Sequence, residues 1–231
     1  TSKATRNCSE AFRNRETMVL ISEPEKKFIA SGVEADIRDD GRKRFDFRNF
    51  VLETGVIPQA TSSARVKLGD TEVIVGVKVD ITPPSSSEPN MGQFSVTVEC
   101  SPSSGSDLDR KVLDDFNTSL ARSVERVVRP CLPLRSLCLI PGAQAWHIFL
   151  DALVLNMDGN VLDAIGIAAR AALVRTTLSK VNVLSSDEGE TEIELVEDEE
   201  VPLDASLVPV CISLAKIGAL YVADPTATEE A

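Results

Sequence analysis

The sequence has few of the residues on which many binding and catalytic sites depend. Aromatic residues make up only 4% of the 231 residues, and His147 is the single histidine. A metal site built from several imidazoles is therefore excluded, and we expect neither a metal ion nor a cofactor. The core must be built mainly from Val, Leu, Ile and Ala, because there are too few aromatic side chains to fill it.

Positive charge is also scarce. The chain has 24 Lys and Arg against 36 Asp and Glu, which gives a formal net charge of -12 and an isoelectric point near 4.6. Affinity for phosphate groups depends on clustered Lys and Arg, so this composition argues against a free-standing nucleic-acid-binding protein. Any contact with RNA must come from a local basic patch or from partner subunits.

Secretory and membrane signals are absent from the sequence as given. There is no signal peptide and no run of about 18 apolar residues, so we expect no association with a membrane. The cysteines form no C-x-x-C pair and are odd in number, which predicts reduced and mostly buried thiols. They are Cys8, Cys100, Cys131, Cys138 and Cys211.

We expect a flexible extension over residues 1–21 and one folded domain over residues 22–231. The sequence Ser22-Glu23-Pro24-Glu25 combines an N-cap, an early proline and a capping-box glutamate. This combination predicts a short helix that ends at Gly32. The chain stops where the pattern predicts one more strand and a closing helix, so we expect the domain to lack its C-terminal closing helix.

Alternating polar and apolar residues predict strands, and two stretches with helical periodicity separate them. Sheet segments followed by a helix occur twice, which predicts an α+β fold of internally duplicated sheet-and-helix units. The predicted helices cover residues 107–128 and 162–177, and the predicted extended segments cover residues 46–54, 63–69, 71–79, 93–100, 136–140, 146–155, 181–184, 192–196 and 208–217.

The segment 157–164 (MDGNVLDA) joins a predicted strand to a predicted helix through an Asp-Gly turn. The first N–H groups of a helix have no partner within the helix, so such a turn often binds an anion. Here no Lys or Arg lies between Asn156 and Ala169, and Asp158 and Asp163 both repel phosphate. The segment has the pattern of a phosphate-binding turn that has lost its positive charge.

Two groups of basic residues are candidates for contact with RNA. Arg122, Arg126 and Arg129 follow the spacing of one helix face, and Arg65 and Lys67 share one face of a strand. The alternative is that these side chains pair with surface acids or with a neighbouring subunit.

An acidic run extends from Asp187 to Asp204, with ten acids and no base. It is either a solvated hairpin or loop, or a docking edge for a basic partner.

Three further segments carry short motifs. Residues 36–42 (DIRDDGR) look like an R-x-D-G-R motif, residues 62–71 (SSARVKLGDT) are similar to a G-S-A-x-V-x-x-G-x-T hairpin, and residues 224–230 (DPTATEE) resemble a late acidic turn. In this order they resemble the RNase PH family of phosphorolytic 3′ to 5′ exoribonucleases and their relatives in the RNA exosome ring. The resemblance covers about residues 25–231, although Ser62 stands where glycine is usual.

The resemblance implies an RNase PH-like fold of the ribosomal protein S5 domain 2-like type. Active members carry a Gly-Thr-Arg-like triplet after the Asp-Gly, whereas this chain has Asn160, Val161 and Leu162. A second family arginine, expected shortly after the third strand, is absent from residues 99–104. Phosphate and phosphodiester repel each other unless cations offset their charge, so the resemblance implies a degenerate phosphate site and no catalytic residue.

Two acids of the family motif remain. Asp224 matches the family's catalytic, metal-linked aspartate, and Glu230 stands where a second acid is usual. Without a phosphate site we expect both positions to be vestigial, with Asp224 acting as a structural turn residue.

The combination of D-G-N-x-x-D-A and D-P-T-x-x-E-E resembles a non-catalytic ring subunit. This implies a hexameric ring of RNase PH-like subunits, topped by S1/KH cap proteins, that threads single-stranded RNA toward a separate hydrolytic nuclease. Roles in RNA degradation and ribosomal RNA processing, and a location in the nucleus, the nucleolus and also the cytoplasm, are implied in the same way.

Other function classes make different demands on the sequence. An active phosphorolytic exoribonuclease requires phosphate-coordinating arginines that we do not find, and a GHMP-type kinase requires a Gly-rich phosphate loop. A protein-interaction module unrelated to RNA stays open. Unlike a ring subunit, it would form no defined dimer with a catalytic-type RNase PH partner.

Overall fold

The computed structural model describes residues 21–101, 110–185 and 191–231. Within these ranges the helices are α1 (Glu23–Glu34), α2 (Arg110–Val128), α3 (Val161–Val174) and α4 (Ala227–Glu230). None of them is long and apolar enough to cross a membrane. The strands of the same ranges are β1 (Phe50–Thr54), β2 (Ser62–Leu68), β3 (Thr71–Thr82), β4 (Gln93–Cys100), β5 (Cys138–Ile140), β6 (Gln144–Asn156), β7 (Thr177–Ser185), β8 (Thr191–Pro202), β9 (Leu214–Ile217) and β10 (Leu220–Ala223).

Six strands form the main sheet in the order β1-β2-β3-β6-β4, with β5 beside β6. All neighbours are antiparallel except β4 and β6, which run parallel. Parallel neighbours need a crossover connection, and α2 lies in the chain between these two strands. The mixed α+β class is therefore confirmed.

The two long helices cover one face of this sheet. Helix α2 packs against β4, α3 packs against β2 and β3, and the two helices contact each other. Along β3, Val73, Val75 and Val77 point into the core, while Ile74 and Gly76 lie on the opposite face. This alternation follows from the two-residue period of a strand and leaves the second face of the sheet open to water.

The remaining strands form two ribbons, β7 with β8 and β9 with β10. The part of the acidic run that the structure describes lies mostly in β8, so it forms one strand of a hairpin. Lys180 of β7 pairs with Glu199 of β8 at 2.6 Å. Residues 187–190 of the run, the extension 1–20 and the predicted helix start at 107 lie outside the described residues.

The expected duplication does not appear as two separate units. Strand β6 comes from the second half of the chain, but it lies between β3 and β4 of the first half. Its residues Ile148 and Leu150 are fully buried in the same core as Val75. A strand with an apolar inner face buries that face most completely in the middle of a sheet. This gain explains why β6 does not pair only with strands of its own half of the chain.

Helix α1 does not end at Gly32 but continues to Glu34. The carbonyl of Gly32 accepts a hydrogen bond from the Ile37 N–H at 3.0 Å, and a Cβ on Gly32 would lie 2.7 Å from the Ile37 carbonyl oxygen. Glycine is therefore needed for a close backbone approach, and Asp36 adopts the left-handed conformation, with φ of 58°.

The predicted strand 208–217 is shorter in the structure, where only Leu214–Ile217 pairs. Residues just before it contact helix α3 instead of a strand. Ser213 hydrogen bonds to Asp163, and Cys211 lies beside Gly166. The alternation of side chains is present, but the neighbour is a helix and so no strand ladder forms.

The two faces of β6 offer a direct test of this architecture. Leu150 is fully buried beneath the helices, whereas Leu153 is 39% exposed on the open face. We expect Leu150→Ala to lower the free energy of unfolding by about 2–5 kcal/mol, because it leaves a cavity in a packed core. Leu153→Ala is the control and should cost much less, and equal losses in urea denaturation would contradict the assignment of the open face.

Candidate functional site

The turn between β6 and α3 is the part of the chain that carries the anion-site pattern. Gly159 has φ of +79° and Asn160 has φ of 53°, so both residues adopt the left-handed conformation. A Cβ on Gly159 would lie 2.5 Å from the carbonyl carbon of Thr226. The turn is thus pressed against the segment that follows β10, and only glycine permits this approach.

The carboxylate of Asp224 lies at the centre of the site and is fully buried. Its Oδ2 accepts hydrogen bonds from the Arg48 backbone N–H at 2.8 Å, from Arg48 Nε at 3.0 Å and from Arg42 Nη1 at 2.9 Å. Its Oδ1 accepts from Arg48 Nη2 at 2.8 Å and from Asn160 Nδ2 at 2.7 Å. Burial alone would raise the pKa of Asp224, but these hydrogen bonds outweigh burial and hold the pKa below its ordinary value.

Arg48 ties this carboxylate to the turn. Its Nη1 donates to the Asp158 carbonyl at 2.8 Å and lies 3.2 Å from the Asp158 carboxylate, and its Nη2 donates to the Gly159 carbonyl at 3.3 Å. Burial alone would lower the pKa of Arg48. The hydrogen bond to Asp224 and the nearby acids outweigh burial and raise the pKa above its ordinary value, so the guanidinium stays charged. The pKa of Asp158 is raised, chiefly by burial.

A second arginine holds the segment after Asp224. Arg38 is 3% exposed, and its Nη1 and Nη2 donate to the carbonyls of Ala223 and Asp224 at 2.9 and 2.8 Å. The same guanidinium forms an ion pair with Glu229, with Nε 2.8 Å from Oε1. Glu229 also accepts from the Thr226 N–H at 2.9 Å, which completes the capping box of α4.

One acid of the chain itself bonds the N-terminus of α3, and a second lies in its first turn. The Asn160 N–H donates to Glu230 Oε1 at 3.1 Å. The buried Asp163 carboxylate accepts from the Ser213 N–H and hydroxyl, each at 2.7 Å. Burial raises the pKa of Asp163, and the bonds from Ser213 offset only part of this effect.

One polar atom of the turn is unsatisfied. Asn160 Oδ1 is buried without a hydrogen-bond partner. Within residues 21–101, 110–185 and 191–231, no group of three His, Cys, Asp or Glu side chains is placed to hold a metal ion. The three guanidinium groups of the site, from Arg38, Arg42 and Arg48, each contact a carboxylate already.

The predicted site residues around the turn come together in the structure. Asn160, Asp224 and Glu230 are joined by hydrogen bonds, whereas Val161 and Leu162 begin helix α3 and contribute apolar side chains. Val161 is buried, and Leu162 packs against the core.

The predicted RNA-binding residues lie on β2 and at the end of α2. Arg65 pairs with Glu72 at 2.6 Å and with Glu53 at 3.2 Å. Lys67 is exposed on the same strand. Arg65 thus forms two ion pairs on this part of the sheet face, whereas the Lys67 ammonium has no ion pair among the described residues.

The arginines of α2 also differ from one another. Arg122 and Arg126 are exposed, and Arg122 lines a groove between α2 and β4 together with Glu99 and Glu125. Arg129 lies beyond the end of the helix in a 3-10 turn and pairs with Glu88. The expected helical stripe of three arginines is thus reduced to two, because the helix ends at Val128.

Arg48 is the functional residue that sequence reasoning missed. It lies in a segment that was assigned only as extended, and its partner Asp224 is 176 positions away. Arg38 and Arg42 of the R-x-D-G-R motif were a partial indication of this site. Several arginines close together in the sequence need acidic partners if they are buried.

The close approach at Gly159 can be tested against a glycine with the same backbone strain. Gly142 has φ of +77° and no atom within 4 Å of an added Cβ. We expect Gly142→Ala to cost about 1–2 kcal/mol of unfolding free energy, the cost of a left-handed residue. Gly159→Ala should add about 1–3 kcal/mol for the clash with Thr226, and equal losses in urea denaturation would contradict the packed turn.

Removal of the Asp224 charge should destabilise the protein strongly. Asp224→Asn removes the negative charge that Arg42 and Arg48 share, and breaking a buried ion pair costs about 3–5 kcal/mol. The control is Asp80→Asn, because Asp80 pairs with an exposed lysine, Lys78, at 3.3 Å and should change little. Urea denaturation of both variants checks this.

The same variant makes a prediction about pH. The pKa of Asp224 is lower in the folded than in the unfolded protein, so its stabilisation is complete above the unfolded value of about 3.9. It is lost as pH falls through the folded-state pKa. We expect the unfolding free energy of Asp224→Asn to fall less steeply below pH 4 than that of the unmodified protein, and parallel curves would contradict this assignment.

Comparisons with known proteins agree with this fold. The model of the 3′ exoribonuclease family (RNase PH), domain 1, matches residues 46–179, more than half of the chain. The exosome complex component Rrp42 of Pyrococcus abyssi is 39% identical over 84% of this chain and 70% of its own length. Rrp42 of Methanothermobacter thermautotrophicus is 35% identical over 92% of this chain and 78% of its own length.

Two solved structures share the architecture. An archaeal exosome core chain superposes with a TM-score of 0.72 at 31% identity, covering 90% of this chain and 75% of that chain. A chain of the Archaeoglobus fulgidus exosome with RNA bound to the active site gives 0.76 at 31% identity, covering 90% and 78%. The chain therefore belongs to the RNase PH family of 3′ exoribonucleases, among the relatives of the exosome component Rrp42.

Proposed function

We propose that this chain is a non-catalytic subunit of the RNase PH-like ring of the RNA exosome. In this role it forms part of the RNA channel and binds neighbouring subunits, and it supports 3′ to 5′ processing and degradation without cleaving RNA itself. The main support for the proposal is that a carboxylate of the chain itself lies where the N-terminus of α3 could bind a phosphate. The Asn160 N–H there is bonded to the carboxylate of Glu230.

The charge balance of the site supports the absence of phosphorolysis. Phosphorolysis needs a phosphate dianion aimed at a phosphodiester, and cations must offset the repulsion between them. The three arginines of the site bind Asp224, Asp158, Asp40 and Glu229 instead. A phosphate entering this turn would meet carboxylates, and Val161 and Leu162 offer no replacement for a binding arginine.

The basic side chains most suited to RNA are those without an acidic partner. Lys67, Arg122 and Arg126 have no ion pair among the described residues, whereas Arg65 and Arg129 are paired. We propose that the first three contact the RNA backbone in the assembled ring. Arg65 and Arg129 are weaker candidates, since each would first have to leave its carboxylate.

A role in the ring also implies specific binding partners and a cellular location. The partners in this proposal are other RNase PH-like subunits, S1/KH cap proteins and single-stranded RNA within the channel. The expected location is the nucleus and nucleolus, and also the cytoplasm. Fractionation and fluorescence microscopy of a tagged full-length protein would test the location, and exclusion from the nucleus would contradict it.

An activity assay tests the proposal directly. The purified protein is incubated with 5′-labelled single-stranded RNA, with and without inorganic phosphate, both alone and mixed with a catalytic-type RNase PH partner. We expect no phosphate-dependent shortening by this chain alone, because the three arginines of the site already contact carboxylates. A stoichiometric complex with the partner should form, and it should shorten RNA when phosphate is present.

The control uses a partner that lacks its own phosphate-binding arginine. The mixed complex should then be inactive, since all phosphorolysis comes from the partner. Release of nucleoside diphosphates by this chain alone would contradict the proposal and favour an active exoribonuclease. Failure to bind any RNase PH-like subunit would favour an interaction module unrelated to the ring.

A further inference from the structure

The open face of the main sheet contains a depression that the site described above does not use. It has a volume of about 660 Å³ and lies between β3, β4, β6 and the loop that precedes β2. Its apolar part is formed by Ile57, Ala60, Ile74 and Leu153. This face is opposite to the one that the helices cover, so no helix of the described residues fills it.

The floor of the depression is low because Gly76 has no side chain. A Cβ on Gly76 would lie 3.5 Å from Ile57 Cδ1 and 3.9 Å from Ala60 Cβ, both ordinary contact distances. A larger residue at position 76 is therefore not excluded by a clash of its Cβ. The missing side chain leaves room above the sheet for a group from elsewhere.

Two carboxylates stand beside this apolar floor. Asp151 is the register partner of Gly76 on one side and of Thr97 on the other, and Glu99 is the partner of Leu153. The two acids are thus diagonal neighbours on adjacent strands, within reach of one long side chain. Both line the depression, and both are exposed.

These two acids differ from Glu72 and Asp80, which lie on the same face. Glu72 is paired with Arg65 at 2.6 Å, and Asp80 is paired with Lys78 at 3.3 Å. Neither the Asp151 nor the Glu99 carboxylate forms an ion pair or a side-chain hydrogen bond with any residue that the structure describes. Lys78 also lines the depression, but its ammonium is held by Asp80.

The chemistry of the depression selects its occupant. Uncompensated carboxylates repel the phosphates of RNA, so a nucleic acid does not fit here. A Lys or Arg side chain fits both parts, since its methylene stem covers apolar residues while its charged end meets the two acids. We infer that this depression receives an arginine or lysine side chain from a neighbouring protein subunit, an inference that rests on the proposed role in the ring.

The test begins with the partner. The full-length protein is co-expressed with each RNase PH-like exosome subunit of the same organism, and those that form a 1:1 complex are kept. The dissociation constant of each complex is then measured at low and high salt. The variants are the double substitution Asp151→Asn with Glu99→Gln, the filling substitution Gly76→Val, and the control Asp80→Asn on the same face.

For one of the complexes we expect the double variant to bind at least about tenfold more weakly, with a smaller dependence on salt. Gly76→Val should weaken the same complex without changing its salt dependence, because it blocks the floor and leaves the charges in place. Asp80→Asn should change affinity less than about twofold, since that carboxylate is already paired at the surface. Unchanged unfolding midpoints confirm that each variant is folded.

The outcomes separate the inference from the proposed function. If complexes form and all of them bind the double variant as tightly as the unmodified protein, the inference is wrong and the ring role stands. If no RNase PH-like subunit forms a complex, the ring role fails and the inference fails with it. Tighter binding of single-stranded RNA by the double variant, with protein affinity unchanged, would assign the acids to repulsion of RNA and overturn the inference.

Discussion

The fully buried carboxylate of Asp224 is the constraint on which the rest of the site depends. An ion removed from water is tolerated only when hydrogen-bond donors replace its hydration. Here the donors come from two distant parts of the chain, the segment that carries Arg42 and Arg48 and the turn that carries Asn160. The segment before β1, the turn after β6 and the segment after β10 must therefore meet at one point. This meeting fixes Gly159 against Thr226 and aligns α4 with Arg38.

The same constraint is compatible with our proposal that this chain has lost phosphate chemistry, because it holds the fold together without a bound phosphate. The partial positive charge of a helix N-terminus attracts any nearby anion, whether a phosphate or a side chain. In this chain Glu230 bonds the Asn160 N–H, and Asp163 lies in the first turn of α3. An anion thus stabilises this helix end from inside the protein, and we propose that the retained acids of the family motif are structural groups.

Local patterns in the sequence predicted those parts of the fold that depend on local interactions. The Gly69-Asp70 turn places β2 beside β3, and β4 has the predicted bounds of Gln93–Cys100. The turn at Gly159 was also found, because its glycine and its missing cation are both visible in the sequence. Contacts between distant segments leave no periodic signal, so the pairing of Arg48 with Asp224 was not predicted. The insertion of β6 between β3 and β4 was missed for the same reason.

The distribution of charge then accounts for how an acidic protein can serve an RNA machine. With a net charge of -12, the chain as a whole repels RNA, and its attraction for phosphate must be confined to a few free cations. We propose Lys67, Arg122 and Arg126 for this role, while the buried arginines of the site already contact carboxylates. For assembly we infer the opposite arrangement, in which the unpaired carboxylates of Asp151 and Glu99 face a neighbouring subunit. In this arrangement the acids proposed to bind a protein and the cations proposed to bind RNA are different side chains, although Glu99 and Arg122 line one groove between α2 and β4.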